Sequence, residues 1–498
     1  MKVFSSAQLK NWDAVSIREQ NISSETLMER AANACYHWLL NNSFTNGPIS
    51  IFCGKGNNGG DGLALARILL ENKIPVTIYI LELGKAGSDD FQLNLQKLHQ
   101  ITTDIHFIQS DVFIPMLEEK DLVIDALFGA GLNKPLDGVA LKLVEYLNNN
   151  AGLIISIDIP TGLYSDKSTK GNTAIKATHT LSFQQAKLAF LFAENDAFVG
   201  KFHLLDIGLS EHFEETETAA YEITDASIIK SIIKTRNKFS HKGTYGHASL
   251  LAGSYGMMGA AVLAAKGCMY SGAGKLTCYI PACGYDILQV SLPEAMCKIV
   301  GEKYLADTVP GTMYDAIGIG PGIGIEQETD SVLRQLFLSD VKTLLADADA
   351  LNLMAADEQL LSLLPKGSVI TPHPREFEKL FGVSPNEFER LELARQKAST
   401  LKIYIVLKGH YTAVITPLGK VYFNPTGNAG MAKAGMGDIL SGTITGLLAQ
   451  QYLLPEAALL GVYLHGLAGD IAASKYSQQA MQASNLLECI ADAWRSLL

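Results

Sequence analysis

Short apolar segments that end in glycine or a polar turn and run into a helical pattern recur along this chain. That rhythm restricts it to an α/β architecture with parallel strands and crossover helices. The first half carries PISIFCGKG at 48–56, IPVTIYIL at 74–81, DIHFI at 104–108, DLVIDALFG at 121–129, GLIISIDIP at 152–160 and ATHTLSF at 177–183, with helical stretches such as DDFQLNLQKLHQ between them. Ser5 with Gln8, and Ser23 or Ser24 with Glu25, are start signals for two helices before the first strand. The second half repeats the formula in HASLLAG (247–253), SGAGKLTCYIP, DAIGIGPGIG (315–324), TLLADADALN (343–352) and SVITPHPREF (368–377). IYIVLKGHYTAVITPLGKVYFNP then reads as a strand, a loop and a hairpin turning near Leu418 and Gly419. The expected fold is two doubly wound α/β domains, which collect ligands at the carboxyl ends of their strands.

At 498 residues the chain exceeds one ordinary core. The acidic stretch SEHFEETETAAYEIT (210–224) has no strong periodicity, so the domains are placed at 1–215 and 222–498. A net charge of −11 argues against non-specific binding to nucleic acid or an anionic membrane. Cys35, Cys53, Cys268, Cys278, Cys283, Cys297 and Cys489 are scattered and never in a CxxC spacing, which reads as reduced thiols rather than disulfides or zinc. The first twenty residues carry charges throughout, unlike a signal peptide, and no apolar run approaches the roughly 20 residues of a membrane span. A cytoplasmic location is expected.

Five glycines between 54 and 62, flanked by a strand and a helix, outline a phosphate-binding turn, although neither GxGxxG nor a Walker A loop is present. Asn57, Asn58 and Asp61 sit on a backbone that a ligand can approach closely. Asp125, Asp158 and Thr161 end further strands on the same rim, where their oxygens could ligate a hard cation or Asp158 could act as a base. Each could also be an ordinary cap or turn former. In the second half, NPTGNAGMAKAGMGDILSGTITGLLAQ (424–450) places Gly435, Met436 and Gly437 in a tight turn feeding a helix N-terminus. Backbone N–H groups and the helix dipole there favour phosphate, and Asp438 in the first turn can face a hydroxyl brought to it. Gly320, Gly322, Asp347, Asp349, His373 (between Pro372 and Pro374) and Lys408 fall at other strand ends.

Taken together, GKGNNGGDG, VIDALFGAGL and ISIDIPTGL in the first half, and HKGTYGHASLLAGS, MYSGAGKLT, IGPGIG, DADALN, TPHPREF, LKGHYT and NAGMAKAGMGDILSGTITG in the second, form an ordered set. It resembles the bifunctional NAD(P)H-hydrate repair enzymes, in which a Rossmann-like NAD(P)H-hydrate epimerase domain is fused to a ribokinase-like, ADP- or ATP-dependent dehydratase domain. The resemblance spans nearly the whole chain. It implies that Asn57, Asn58, Gly59, Gly60 and Asp61, with Gly129, Ala130, Gly131, Leu132, Asn133, Lys134 and Pro135, bind the hydrate, that Asn58, Asp125 and Thr161 hold potassium, and that Asp158 is the acid/base. In the dehydratase domain it implies hydrate contacts at Ala260, Gly322, His373 and Asp438. Lys408, Gly409, His410, Tyr411, Thr412 and Gly437 would take the nucleotide. The implied ligands are the hydrates of NADH and NADPH (NADHX and NADPHX), ADP or ATP, and magnesium, in a homo-oligomer. Two positions depart from the pattern: Arg375, where glycine usually follows TPHP, and Met436, where a small polar residue is common.

On this reading Asp158 interconverts the two epimers, a single carboxylate with a cation-organised loop being enough. Asp438 then accepts the proton of the hydroxyl as it is phosphorylated, which makes it able to leave. An ordinary ribokinase-type kinase shares the GxGD turn but leaves the first domain unexplained. A non-catalytic N-terminal binding module is the other alternative, and Asp158 with the full NNGGD loop speaks against it.

Overall fold

The computed structural model of the protein describes residues 1–118 and 121–498. It divides into two compact units: Lys2–Ala220 with Asn386–Phe388, and Tyr221–Pro385 with Glu389–Leu498 and Met1.

The N-terminal unit holds a 7-stranded parallel sheet in the order Ile105–Ile108, Val76–Leu81, Ile49–Cys53, Leu122–Ala126, Leu153–Ile157, His179–Phe183, Lys201–Leu205. Ile49–Cys53 and Leu122–Ala126 are buried along their whole length, as strands covered on both faces must be. Alternate residues divide between the layers. Ile51 and Ile124 face the helices Ser24–Asn41 and Asn57–Glu71, while Phe52 and Val123 face Gly138–Asn150 through Leu143, Val144 and Leu147. The order reverses between Ile49–Cys53 and Leu122–Ala126, so the loops that leave these strands splay apart into a crevice.

Ser5 caps the helix Ser6–Glu19 through a reciprocal capping box with Gln8. Trp12 and Ser16, one turn apart, anchor its inner face. The Trp12 indole N–H donates to the carbonyl of Ser210 at 2.8 Å, and its ring packs on Phe4 and Phe213 with centroids 5.3 and 5.8 Å away. The acidic stretch around 210–224 is more ordered than its sequence suggests. Ser210 caps a short helix, Glu211–Thr216, which buries Phe213, and Tyr221–Ile223 is a strand of the second unit.

In the C-terminal unit the sheet runs Tyr221–Ile223, Val421–Phe423, Ala413–Ile415, Tyr404–Leu407, Val369–Ile370, Leu344–Ala346, Ala316–Ile319, His247–Leu251, Lys275–Ile280, Met296–Ile299. Only Ala413–Ile415 is antiparallel to its neighbours among these pairings. This sheet also has its switch point, between His247–Leu251 and Ala316–Ile319. Helices Met258–Tyr270, Met436–Ala449, Leu454–Ala480 and Ala483–Leu497 bury a common core through Ala264, Ile439, Leu460 and Ile490. The α/β expectation with two doubly wound units holds. The sequence reading misses Met296–Ile299, an edge strand of only four residues, three of them exposed.

Among the described residues one helix, Leu454–Ala480, is long and apolar enough to cross a membrane by length and composition, which the scan for unbroken apolar runs passes over. With 72% of its apolar window buried, it serves as the central helix of this core. All seven cysteines are free thiols. Five are buried, and Cys283 and Cys297 are half-buried.

Candidate active sites at the two switch points

A cavity of about 810 Å³ opens over the switch point of the N-terminal sheet. Asn57, Asn58 and Asp61, from the start of the helix Asn57–Glu71, line it together with the loop Gly129–Lys134 and Asp158. The glycine loop serves packing as well as access. A Cβ on Gly59 would lie 1.7 Å from the Gly54 carbonyl oxygen, so only glycine lets the helix begin there. Gly59, Gly60 and Pro135 do not line the cavity.

Asp158 sits just past the strand Leu153–Ile157 with φ of +67°, a left-handed conformation that non-glycine residues adopt rarely and Asp more readily than most. Its backbone N–H donates to the Leu181 carbonyl at 2.7 Å, which fixes the turn. The Ala130 N–H donates to its Oδ2 at 3.2 Å, and Lys187 Nζ donates to its Oδ1 at 2.5 Å. Lys187 is only 1% exposed and donates also to Ser182 Oγ at 2.7 Å. Burial, and then the charges of Asp158, Asp13 and Asp90, hold the Asp61 carboxyl well above the usual carboxylate range. Asp13, on the helix Ser6–Glu19, lines the same cavity and is pushed up to about 6 by burial and by Asp158, with Lys187 opposing.

Asp125 lies buried beneath this rim. Its Oδ1 accepts from the Thr161 hydroxyl at 2.7 Å and the Leu127 N–H at 3.2 Å; its Oδ2 accepts from the Ser156 hydroxyl at 2.7 Å and the Thr161 N–H at 2.9 Å. The Thr161 hydroxyl also lies 3.3 Å from the Phe128 carbonyl oxygen. Asn58 reaches the same corner: a Cβ on Gly129 would meet both Asn58 Cβ and Asp158 Oδ2 at 3.2 Å. The amide oxygen and nitrogen of Asn58 are buried without a hydrogen-bond partner. This orphaned carbonyl-type oxygen, with the hydroxyl, backbone carbonyl and carboxylate that Thr161, Phe128 and Asp125 bring together, supplies the kinds of donor that a hard cation takes.

In the C-terminal unit Gly435 has φ of +90° and caps the helix Met436–Ala449, which puts Asp438 in the first turn. Burial and the nearby Asp347 push the Asp438 carboxyl up to about 6; Lys408 opposes and Asp349 adds to the rise. Lys408 Nζ lies 3.0 Å from Asp347 Oδ1 and 3.8 Å from Glu376 Oε2. Burial pulls the Lys408 ammonium down, yet those two carboxylates outweigh it and its pKa ends above the usual lysine value. The other oxygen of Asp347 accepts from the Ser441 hydroxyl. Gly437 leaves room here, since a Cβ on it would come within 3.5 Å of Lys408 Nζ. Behind the turn, buried His465 holds the Met436 carbonyl at 3.0 Å, and burial drops its pKa to about 4.

The remaining positions fall into smaller groups. Ala260 and Gly322 are neighbours, since a Cβ on Gly322 would meet Ala260 Cβ at 3.1 Å. His373 is the N-cap of the helix Pro374–Phe381: its Nδ1 accepts from the N–H groups of Arg375 and Glu376 at 3.0 and 3.2 Å, and its Nε2 lies 3.6 Å from Glu376 Oε1. Thr412 closes a loop on Gly409, and His410 packs edge-on against Tyr411. Arg375 points outward, and Met436 buries its side chain in the core instead of facing the turn. Sequence reasoning missed Asp13, Lys187 and Ser182. Lys187 follows no motif, and the helical pattern that turns Asp13 toward the cavity is legible only once the cavity is known.

The two sheets and their switch-point sites define a two-unit α/β enzyme with one small-molecule site in each unit. Residues 248–492 match the family model described as NAD(P)H-hydrate dehydratase, and residues 24–189 match that of the YjeF-related protein N-terminus. The bifunctional NAD(P)H-hydrate repair enzyme of Moorella thermoacetica is 33% identical, with 100% of this chain and 97% of the relative covered. Its counterpart in Thermofilum pendens is 32% identical over 100% of this chain and 97% of the relative. The chain belongs to the bifunctional NAD(P)H-hydrate repair enzymes. A solved structure of ADP/ATP-dependent NAD(P)H-hydrate dehydratase from Bacillus subtilis, co-crystallised with ATP and Mg2+, is 33% identical, covers 56% of this chain and 99% of its own, and has a TM-score of 0.49.

Proposed function

We propose that this chain repairs hydrated nicotinamide dinucleotides. Its first domain, 1–215, interconverts the R and S forms of NADHX and NADPHX. Its second, 222–498, dehydrates the S form in a reaction dependent on ADP or ATP. The observation that carries this reading is the pairing, in one polypeptide, of the Asp158 cavity with a glycine turn whose amides and Asp438 converge at a helix N-terminus.

In the first domain Asp158 exchanges a proton with the ring hydroxyl, while Asn57, Asp61 and the Gly129–Lys134 loop embrace the hydrate. Potassium, held by Asn58, Asp125 and Thr161, would supply a fixed positive charge for the ligand; the orphaned amide of Asn58 supports that assignment. In the second domain Asp438 takes the hydroxyl proton as its oxygen attacks the terminal phosphorus of the nucleotide. The N–H groups of the 435–438 turn and the Lys408 ammonium receive the charge that develops on the phosphoryl oxygens. The C–O bond then breaks with phosphate as the leaving group, the ring nitrogen lone pair assisting, and loss of a proton from the adjacent ring carbon to solvent forms the C=C bond that restores the dinucleotide. Asp347 and Asp349 are the hard carboxylates that would hold a magnesium ion, which when bound would supply charge neutralisation for the phosphoryl group. Ala260, Gly322 and His373 contact the hydrate, and the 408–412 segment with Gly437 takes the nucleotide. The work is cytoplasmic, where both coenzymes are abundant.

The test is to give the purified protein mixed hydrate epimers with ADP or ATP and to follow NADH absorbance. Complete consumption is expected. Consumption of only the S form means an inert first domain; no consumption, with phosphorylation of another alcohol, establishes a ribokinase-type kinase.

A further inference from the structure

The geometry points to Asp13 as a second acid–base group of the N-terminal site, working on the ring face opposite Asp158. The inference rests on the epimerase reading above and deepens it. Ser6, Leu9, Lys10, Asp13, Ala14 and Ile17 all line the cavity, and their three- and four-residue spacing makes them one stripe of the helix Ser6–Glu19. That stripe forms one wall, and the loops at the carboxyl ends of the strands, with Asp158 and Asp61, form another. Trp12 and Ser16 pin the adjoining face of the helix to Ser210, so the wall is held in place.

The two carboxyl groups differ in their surroundings. Asp158 is tied to Lys187 and to the Ala130 N–H, whereas no hydrogen bond or ion pair engages Asp13 among the described residues. The charged groups facing Asp13 are Asp158 and Lys187 across the cavity, Asp61 and Asp90 from the neighbouring helices, and Lys10 and Lys134 along the lining.

Breaking the C–O bond of the carbinol carbon beside the ring nitrogen and delivering oxygen to the other face inverts it, and this route uses a proton donor on one face and an acceptor on the other. The protonated carboxyl of Asp13 gives its proton to the hydroxyl, the C–O bond breaks, and the nitrogen lone pair forms a C=N bond as water departs. On the opposite face Asp158 takes a proton from a second water as its oxygen bonds to carbon and the π electrons return to nitrogen. One proton moves from Asp13 to Asp158, and exchange with solvent resets the pair; the reverse epimerisation runs the roles backward. A carboxyl with no fixed partner suits the donor, and one paired with a buried lysine suits the acceptor.

The experiment is epimerisation of the hydrate by the full chain in H2(18)O, with mass detection of the inverted product. The wild type is expected to incorporate one (18)O per inversion. Asp13→Asn is expected to lower kcat at least 100-fold in both directions with KM changed less than threefold, to keep its dehydration of the S form, and to be partly rescued as Asp13→Glu. Inversion without label, or an Asp13→Asn variant within threefold of wild type, overturns the assignment. A wild type that inverts nothing overturns instead the epimerase reading on which it rests.

Discussion

Asp438 is the residue where charge and chemistry meet. Because burial and Asp347 raise its carboxyl to about 6, the ionised form needed to accept a proton is lost below that value. Dehydration kcat/KM is therefore expected to fall about tenfold per pH unit below about pH 6, and Asp438→Ala to lose roughly 100-fold or more while epimerisation persists. The same shift acts on folding. A carboxyl raised in the native state from 3.8 to about 6 stabilises the fold fully only below 3.8 and loses that contribution as pH rises through 6. Asp438→Asn should then unfold later than wild type at pH 8, by up to about 3 kcal/mol in denaturant titrations, with the gap closing toward pH 4. Lys187 behaves in the opposite way. Lys187→Met leaves Asp158 and Ser182 without their buried partner, and a loss of about 3 kcal/mol in the same titrations is expected.

Among the elements, the helix Ser6–Glu19 is held by few large contacts, and Trp12 dominates them. Trp12→Ala should remove about 3–5 kcal/mol and weaken hydrate binding in the first domain, measured by unfolding and by KM for epimerisation. The strands that position both sites were legible because they are continuous apolar runs ended by glycine, and the Gly435–Asp438 turn because its residue types permit little else. Asp13 and Lys187 were not legible. One sits on an amphipathic helix whose polar side gives no hint of its destination, and the other just before a short 3-10 turn, Leu188–Leu191, and only tertiary packing brings them beside Asp158. Met296–Ile299 escaped for a related reason: an edge strand of four residues is too short to show a period of its own, and only its neighbour in the sheet defines it.

For the molecule as a whole, two units with separate cores predict two calorimetric transitions rather than one. Saturating ADP with magnesium at about 100 times its dissociation constant should stabilise only the C-terminal unit, by about 2.7 kcal/mol. The free thiols offer a way to tell the two apart. Cys35 and Cys53 lie sealed in the first unit, and Cys268, Cys278 and Cys489 in the second, while Cys283 and Cys297 stand closer to water. Iodoacetamide should tag the latter pair at once and reach the others only when their own unit opens. Alkylation at position 53 or position 268, timed by peptide mass, thus becomes a clock for breathing of each half, written into the chain without any added dye.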